Sequence, residues 1–353
     1  MSPHPRERRS DARRLRRTRL TAAMDVSVIL PVFWRSASPK AVGELRRAVK
    51  SVIDQDYPGQ MEIVVVDDGS PEPVRKALEQ DLMDDRMRWV RLPRNEGLVY
   101  ALNTGLLSAR YDLIARIDAD DAWRPGKIAR QMELLRADPD LTIIGTGMRL
   151  CHNGRKPDVD LVRPGRADGI LRFFATEGCP FPHGSVLARK SVYLLLGGYP
   201  HDPLFSHCED YALWGVWLRF FKAAMVEEVL FDYTVSQSSV SAVHTAQQRR
   251  ASGMVQQAWL DLGDTSRIPD AQQALAQALR VDPFLAGRSA FLLWKVRPSR
   301  VALPRLAAEP LRALLPDRTV VLSDAPADAR PSPWLDLPWA GQHSAEMAYY
   351  EVT

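Results

Sequence analysis

Asp118-Ala119-Asp120-Asp121 places three carboxylates in four residues, directly after the apolar stretch Asp112–Ile117. Such a group repels itself unless a cation sits among its members. Hard oxygen ligands of this kind suit Mg2+ or Mn2+, which keep several waters and bridge to substrate phosphates. A solvated acidic turn capping the next helix uses the same residues, so the cluster alone leaves both readings open. A second acidic pair, Glu209-Asp210, precedes the aromatic segment Tyr211–Phe221. The helix dipole alone favours acids there; chemically, a carboxylate at a cleft edge can take a proton from a hydroxyl. Asp67-Asp68-Gly69-Ser70 follows the apolar Met61–Val66. It fits a strand-to-helix turn, and equally a carboxylate that accepts from a nucleobase, as an acid after a strand reads a ribose in dinucleotide folds. His183 lies in the rigid loop Cys179-Pro-Phe-Pro-His-Gly-Ser185, where it either lines a site or is satisfied by loop carbonyls.

These residues need elements to position them. Val26–Val32 is a short β-branched strand, and a helix with Leu45, Val49 and Val52 on one stripe follows from about residue 41 to 54. Strands at 61–66, 87–92 and 112–117 then alternate with helices at 74–80, 98–109 and 125–136. That alternation predicts an α/β fold with a mostly parallel sheet and helices on both faces. Ligands in such sheets bind beyond the carboxyl ends of the strands, where Pro31-Val32-Phe33, 67–70 and 118–121 all fall. Further strands are expected at 141–150 and 224–233, and helix-period segments at 246–262, 270–281 and 283–296. No Gly-x-Gly-x-x-Gly follows the first strand and no phosphate-binding Gly-x-x-x-x-Gly-Lys-[Ser/Thr] occurs, which argues against dehydrogenase and P-loop chemistry.

Of the 353 residues, 46% are apolar and 25% charged, which excludes a disordered chain. The formal charge is +4, yet residues 1–23 alone hold eight Arg against Glu7 and Asp11. Removing these from 47 basic and 43 acidic side chains leaves 39 and 41, so the rest is slightly acidic and nucleic acid is not an expected partner. Three cysteines, Cys151, Cys179 and Cys208, without Cys-x-x-Cys spacing fit a reducing cytosol. No run approaches the about 18 apolar residues of a membrane span. The expected organisation is a basic tail (1–23), an α/β domain (24–235), a mainly helical region (236–325) and a loosely ordered tail (326–353). Basic residues from Arg288 to Arg312, interleaved with apolar ones, are compatible with a peripheral contact with the inner face of the membrane and, as the commoner case, with a solvated helix face. This region is expected to shape the acceptor side or to mediate self-association.

Taken in order, several segments resemble the family 2 glycosyltransferases, an inverting class with the Rossmann-like GT-A fold. They are Val26–Val32, Val52-Ile-Asp-Gln-Asp-Tyr57, Ile63–Ser70, Asn95-Glu-Gly97, Ala101-Leu-Asn-Thr-Gly105, Ile114–Asp121, Gly197-Gly-Tyr199 and Glu209–Trp214. The resemblance implies that Pro31 and Phe33 border a nucleotide and that Asp68 binds its base, with Asp67 beside it. It implies further that Asp118 and Arg116 serve the phosphates, Asp120 and Asp121 the metal (Mn2+ or Mg2+), and Asp210 the catalytic base with Glu209 its neighbour. His183 and Trp214 are assigned to the acceptor or donor pocket. The activity implied is transfer of one sugar from a nucleotide-sugar donor, UDP-linked, to a hydroxyl on a glycan or lipid-linked acceptor. A catalytically silent nucleotide-sugar binding or scaffold protein on the same fold is the alternative. Two departures stand out: Thr234 follows Tyr233 where the family often has Arg, and Gln247-Gln-Arg-Arg250 lacks the Trp of the processive members. A phosphate contact is then expected from Lys190 or Arg189, and His244 is a further candidate.

Overall fold

The computed structural model describes residues 24–78, 82, 84–152, 154, 156–196, 198–235, 245–260, 268, 272, 300–303 and 319–322. The first strand, β1 (Val26–Val32), is buried along its whole length, as is β2 (Met61–Asp67). Uninterrupted burial is what a parallel strand covered on both faces requires. Side chains alternate across β1: Ile29 enters a core shared with Leu102, Ile114 and Trp214, whereas Val28 and Leu30 enter one shared with Val49, Ile128 and Met132.

Between these strands runs α1 (Pro39–Ile53). Ser38 caps it by accepting from the Ala41 amide, and Pro39 opens its first turn. Its buried stripe is Leu45, Ala48, Val49 and Val52, the expected spacing for one helix face. Then follow α2 (Val74–Leu78), β3 (Met87–Arg91), α3 (Leu98–Ser108), β4 (Leu113–Arg116), β5 (Ala122–Trp123), α4 (Lys127–Ala137) and β6 (Leu141–Cys151). After β7 (Val159–Leu161) come α5 (Ala167–Thr176), β8 (Leu187–Arg189), α6 (Lys190–Leu196), α7 (Glu209–Phe220) and β9 (Lys222–Thr234).

The nine strands form one sheet in the order β3-β2-β1-β4-β8-β6-β9-β5, with β7 on β6. From β3 to β4 every pairing is parallel. Beyond β4 the sheet is mixed, because β8 runs antiparallel to both β4 and β6 while β6 and β9 are parallel. The mostly parallel sheet expected therefore holds for one half, flanked by helices as predicted. β5 and β8, of two and three residues, are too short to give a periodic signal.

Past β9, the described residues give α8 (Thr245–Leu260) and a parallel pair, β10 (Arg300–Leu303) with β11 (Thr319–Leu322). The tail 1–23, His244, the basic series 288–297 and the stretch 326–353 lie outside the described residues, as does Gly197. Among the described residues no helix is long and apolar enough to cross a membrane.

Candidate active site

The register puts three strand ends together: Val32 of β1 pairs with Asp67 of β2, and Ile29 of β1 with Arg116 of β4. The β2 end is closed by its own carboxylates. Asp67 is buried and accepts from the Ser70 amide at 2.9 Å, the Val74 amide at 3.1 Å and the Arg91 guanidinium. Its oxygens thus cap α2 and fix the turn, so Asp67 is a structural residue rather than a nucleotide ligand. Asp68 accepts from the amides of Glu96 and Gly97, at 2.8 and 2.9 Å, and from Asn95 Nδ2 at 3.1 Å. It thereby shapes the loop entering α3. Gly69, at φ 66°, closes the turn where a Cβ would lie 2.1 Å from the Arg94 carbonyl carbon. Just beyond β1, Phe33 is 44% exposed and offers a flat apolar face. Pro31 lies buried inside the strand, so it borders nothing outside.

At the end of β4, Arg116 is only 3% exposed and donates to the Asp118 carboxylate. Burial works against its charge, but Asp118, then Tyr199, Asp121 and Asp210, overcome this and hold its pKa above the ordinary value. Asp120 is pushed up to about 6 by burial and by Asp118. Asp121 is raised well above the carboxylate range by burial and by its two acidic neighbours. One Asp121 oxygen accepts the Thr234 amide at 2.8 Å; the other, Oδ2, is buried without a partner. Among the described residues no group of three His, Cys, Asp or Glu could hold a metal by side chains alone. An orphaned buried oxygen beside the Asp120 carboxylate nonetheless fits a hard divalent cation, whose remaining ligands would be water and phosphate.

Across the site, α7 begins with the second acidic pair. Glu209 is buried, and burial followed by the charge of Asp210 pushes it up to about 7. Asp210 is also raised, chiefly by burial, and its Oδ1 accepts the Tyr211 amide at 2.7 Å. His183 approaches it, with Nδ1 3.9 Å from Asp210 Oδ2. Burial and the charge of Arg116 lower the His183 pKa well below the usual histidine value, so the ring is neutral.

The structure therefore gathers Arg116, Asp118, Asp120, Asp121, His183, Glu209 and Asp210 beyond one edge of the sheet. Two further assignments fail. Trp214 is fully buried and packs edge-on against Phe181, His183, Tyr199 and Trp217; it supports the site from below and lines no pocket. Arg189 pairs in register with Leu113 at the start of β4 and donates to the carbonyls of Leu141 and Pro139. Lys190 donates to the Ala109 carbonyl. Both lie at the opposite end of the strand from Arg116, out of reach of the acidic cluster. The cation that is near it went unread: Arg47, on the polar side of α1, donates to Thr234 Oγ1 at 2.9 Å and to the Asp120 carbonyl. Its sequence context is that of any surface arginine on an amphipathic helix, and only the fold brings it there.

Fold and site together define an α/β domain whose chemistry lies at the carboxyl ends of its strands, with oxygen ligands on one side and a buried acidic pair on the other. Residues 27–194, just under half of the chain, match Glycosyl transferase family 2. An uncharacterized glycosyltransferase of Haemophilus influenzae is 32% identical over 175 residues, 48% of this chain and 62% of that protein. The UDP-Gal:alpha-D-GlcNAc-diphosphoundecaprenol beta-1,3-galactosyltransferase of Escherichia coli is 28% identical over 196 residues, 53% of this chain and 66% of that protein. The alignments thus span less than two thirds of these relatives. Among solved structures, the mannosyltransferase PcManGT of Pyrobaculum calidifontis, in complex with GDP-Man and Mn2+, superposes with a TM-score of 0.48 at 18% identity. That superposition covers 74% of this chain and 77% of that one.

Two stability measurements check these assignments. Asp67→Ala strips a buried carboxylate from two amides and a guanidinium, and is expected to cost about 3 kcal/mol in denaturant unfolding. Glu209 has a folded pKa of about 7, above its unfolded value of about 4.3. The folded chain therefore binds more protons between these values, and this group's contribution to stability falls as pH rises through that window. Glu209→Gln is accordingly expected to raise the melting temperature more at pH 8 than at pH 4.5; an equal change at both would contradict the buried acid.

Proposed function

We propose that the chain is an inverting, metal-dependent glycosyltransferase moving a single sugar from a nucleoside diphosphate donor, UDP-linked, to a hydroxyl of a glycan or lipid-linked acceptor. One observation carries this reading: two acidic groups distant in sequence, 118–121 and 209–210, both act on the same buried cation, Arg116. Inverting transfer needs that separation. On one face of the sugar a diphosphate departs with growing negative charge; on the other a hydroxyl gives up a proton. The printed name of the Escherichia coli relative, with its UDP-Gal donor and diphosphoundecaprenol-linked acceptor, supports the donor and acceptor classes and a place in surface-glycan assembly.

Asp120 and Asp121 are the residues that would hold Mn2+ or Mg2+, with Asp118 and Arg116 beside them. When bound, the cation offsets charge on the departing diphosphate. Arg116 contributes a fixed positive charge already oriented before reaction, which costs no reorganisation. Asp210 accepts the proton of the acceptor hydroxyl as that oxygen bonds to the anomeric carbon. The bond from that carbon to the nucleotide oxygen breaks, and its electron pair leaves with the diphosphate. Phe33 supplies an apolar face at the end where the base would lie, and the loop that Asp68 holds closes that end. A single transfer suits the sequence at 247–250, which lacks the processive signature.

Asp210→Asn is expected to lower turnover by at least about 10²-fold while the affinity for the donor, measured by calorimetry, stays within a few-fold. Normal turnover in that variant would remove Asp210 from the mechanism. EDTA is expected to abolish UDP release, and Mn2+ or Mg2+ to restore it, with the donor chosen from a panel of nucleotide sugars by thermal stabilisation. Activity that survives EDTA would contradict the role given to Asp120 and Asp121.

A further inference from the structure

The segments Ala101–Gly105 and Gly198-Tyr199 carry no chemistry in the mechanism above, yet they converge on the proton acceptor. Asn103, buried in α3, grips the backbone of Tyr199 from both sides: its Oδ1 accepts the Tyr199 amide at 2.8 Å and its Nδ2 donates to the Tyr199 carbonyl at 3.0 Å. Tyr199 is thereby fixed, and its hydroxyl lies 2.8 Å from His183 Nε2 and 3.2 Å from the hydroxyl of Tyr193 in α6. Both tyrosines are buried, and with His183 they pack around Trp214. The other nitrogen of the imidazole, Nδ1, faces Asp210 Oδ2 at 3.9 Å.

We propose that His183 is a positioning residue for Asp210, held as the Nδ1–H tautomer by a one-way hydroxyl relay from Tyr193 through Tyr199 to Nε2. The proposal rests on the reading of Asp210 as the proton acceptor. A tyrosine hydroxyl has one proton to give, and a neutral imidazole has one donor and one acceptor nitrogen, so the contact between Tyr199 and His183 has only two directions. In the reverse direction Nε2 donates to Tyr199 and Tyr199 to Tyr193, which turns a bare Nδ1 lone pair toward a carboxylate. Two acceptors then face each other in a low-dielectric site, an arrangement that costs free energy. The forward direction turns N–H toward Oδ2 instead. The burial and the Arg116 charge that keep the ring neutral leave exactly one ring proton to place. With Oδ1 held by the Tyr211 amide at 2.7 Å, the other oxygen of the carboxylate faces the imidazole N–H across 3.9 Å. Trp214, wrongly expected to line a pocket, becomes the floor on which the relay rests.

The test uses the full chain labelled with 15N-histidine at neutral pH, with His183→Gln assigning the resonance. The wild type is expected to show a single neutral Nδ1–H form for His183. Tyr199→Phe removes only the hydroxyl, and is expected to leave a mixture of both neutral tautomers. In that variant kcat falls about tenfold or more, while donor KM and the affinity for UDP with Mn2+ stay within twofold. His183→Asn, whose side-chain N–H can stand in for Nδ1–H, is expected to retain more turnover than His183→Ala. A dominant Nε2–H form in the wild type, or an unchanged single form in Tyr199→Phe, would overturn the proposal. Should Tyr199→Phe fail to fold, the wild-type spectrum alone decides the direction of the relay. A chain that fails to bind UDP with Mn2+ would count against the glycosyltransferase reading, and the tautomer spectrum would still decide this one.

Discussion

A guanidinium buried at the end of a central strand is the constraint around which the site is built. Arg116 cannot remain charged at 3% exposure without counter-charges, because the desolvation of an ion costs several kcal/mol even in a relaxed protein. Asp118 lies two residues away and supplies one such counter-charge directly, accepting from the guanidinium. Asp121 and Asp210 reach Arg116 from a turn and from a helix start 89 residues further along. The same burial that makes the cation costly raises the pKa of Asp120, Asp121, Glu209 and Asp210. The site therefore holds acids suited to share a cation or to take up a proton.

Sheet topology delivers these charges to one place. β1, paired on both sides in parallel, sets the levels at which β2 and β4 end, and α3 packs its Leu102 and Leu106 into the same core as Ile29 and Ile114. The antiparallel β8 returns the chain along β4, carrying the His183–Ser185 turn to the Arg116 end and Arg189 to the other. α7 is buried on almost every residue, so its first turn cannot shift without disturbing the aromatic core. Rigidity at Asp210 is thus a property of the core and of the relay above it.

Much of this was legible from residue order. β1, β2 and β4 are short, mainly apolar runs, and β2 and β4 lead into acidic turns, a pattern that points to both the elements and the edge at which their ends lie. The acidic clusters were readable because carboxylates so placed need a partner wherever they end up. What stayed hidden has physical causes. β5 and β8, of two and three residues, are too short for a periodic pattern to stand out. Arg47 and Asn103 sit on helices where a polar residue is unremarkable, and their partners are distant in sequence. Trp214 was misread because aromatics at helical spacing look alike whether they floor a site or line it. Asp67 and Asp68 share one motif, yet one carboxylate caps a helix and the other clasps a loop, a division set by hydrogen bonds that no spacing encodes.

The central claim is that diphosphate departure and proton removal occupy opposite faces of the sugar, with Asp118–Asp121 on one side and Asp210 on the other. The anomeric configuration of the first-formed product reports this directly. With an α-linked UDP-sugar that the chain turns over, proton NMR of the purified product is expected to show a β-glycoside. An α-glycoside would contradict the account, because it would require both events on the same face or two successive displacements through a covalent intermediate.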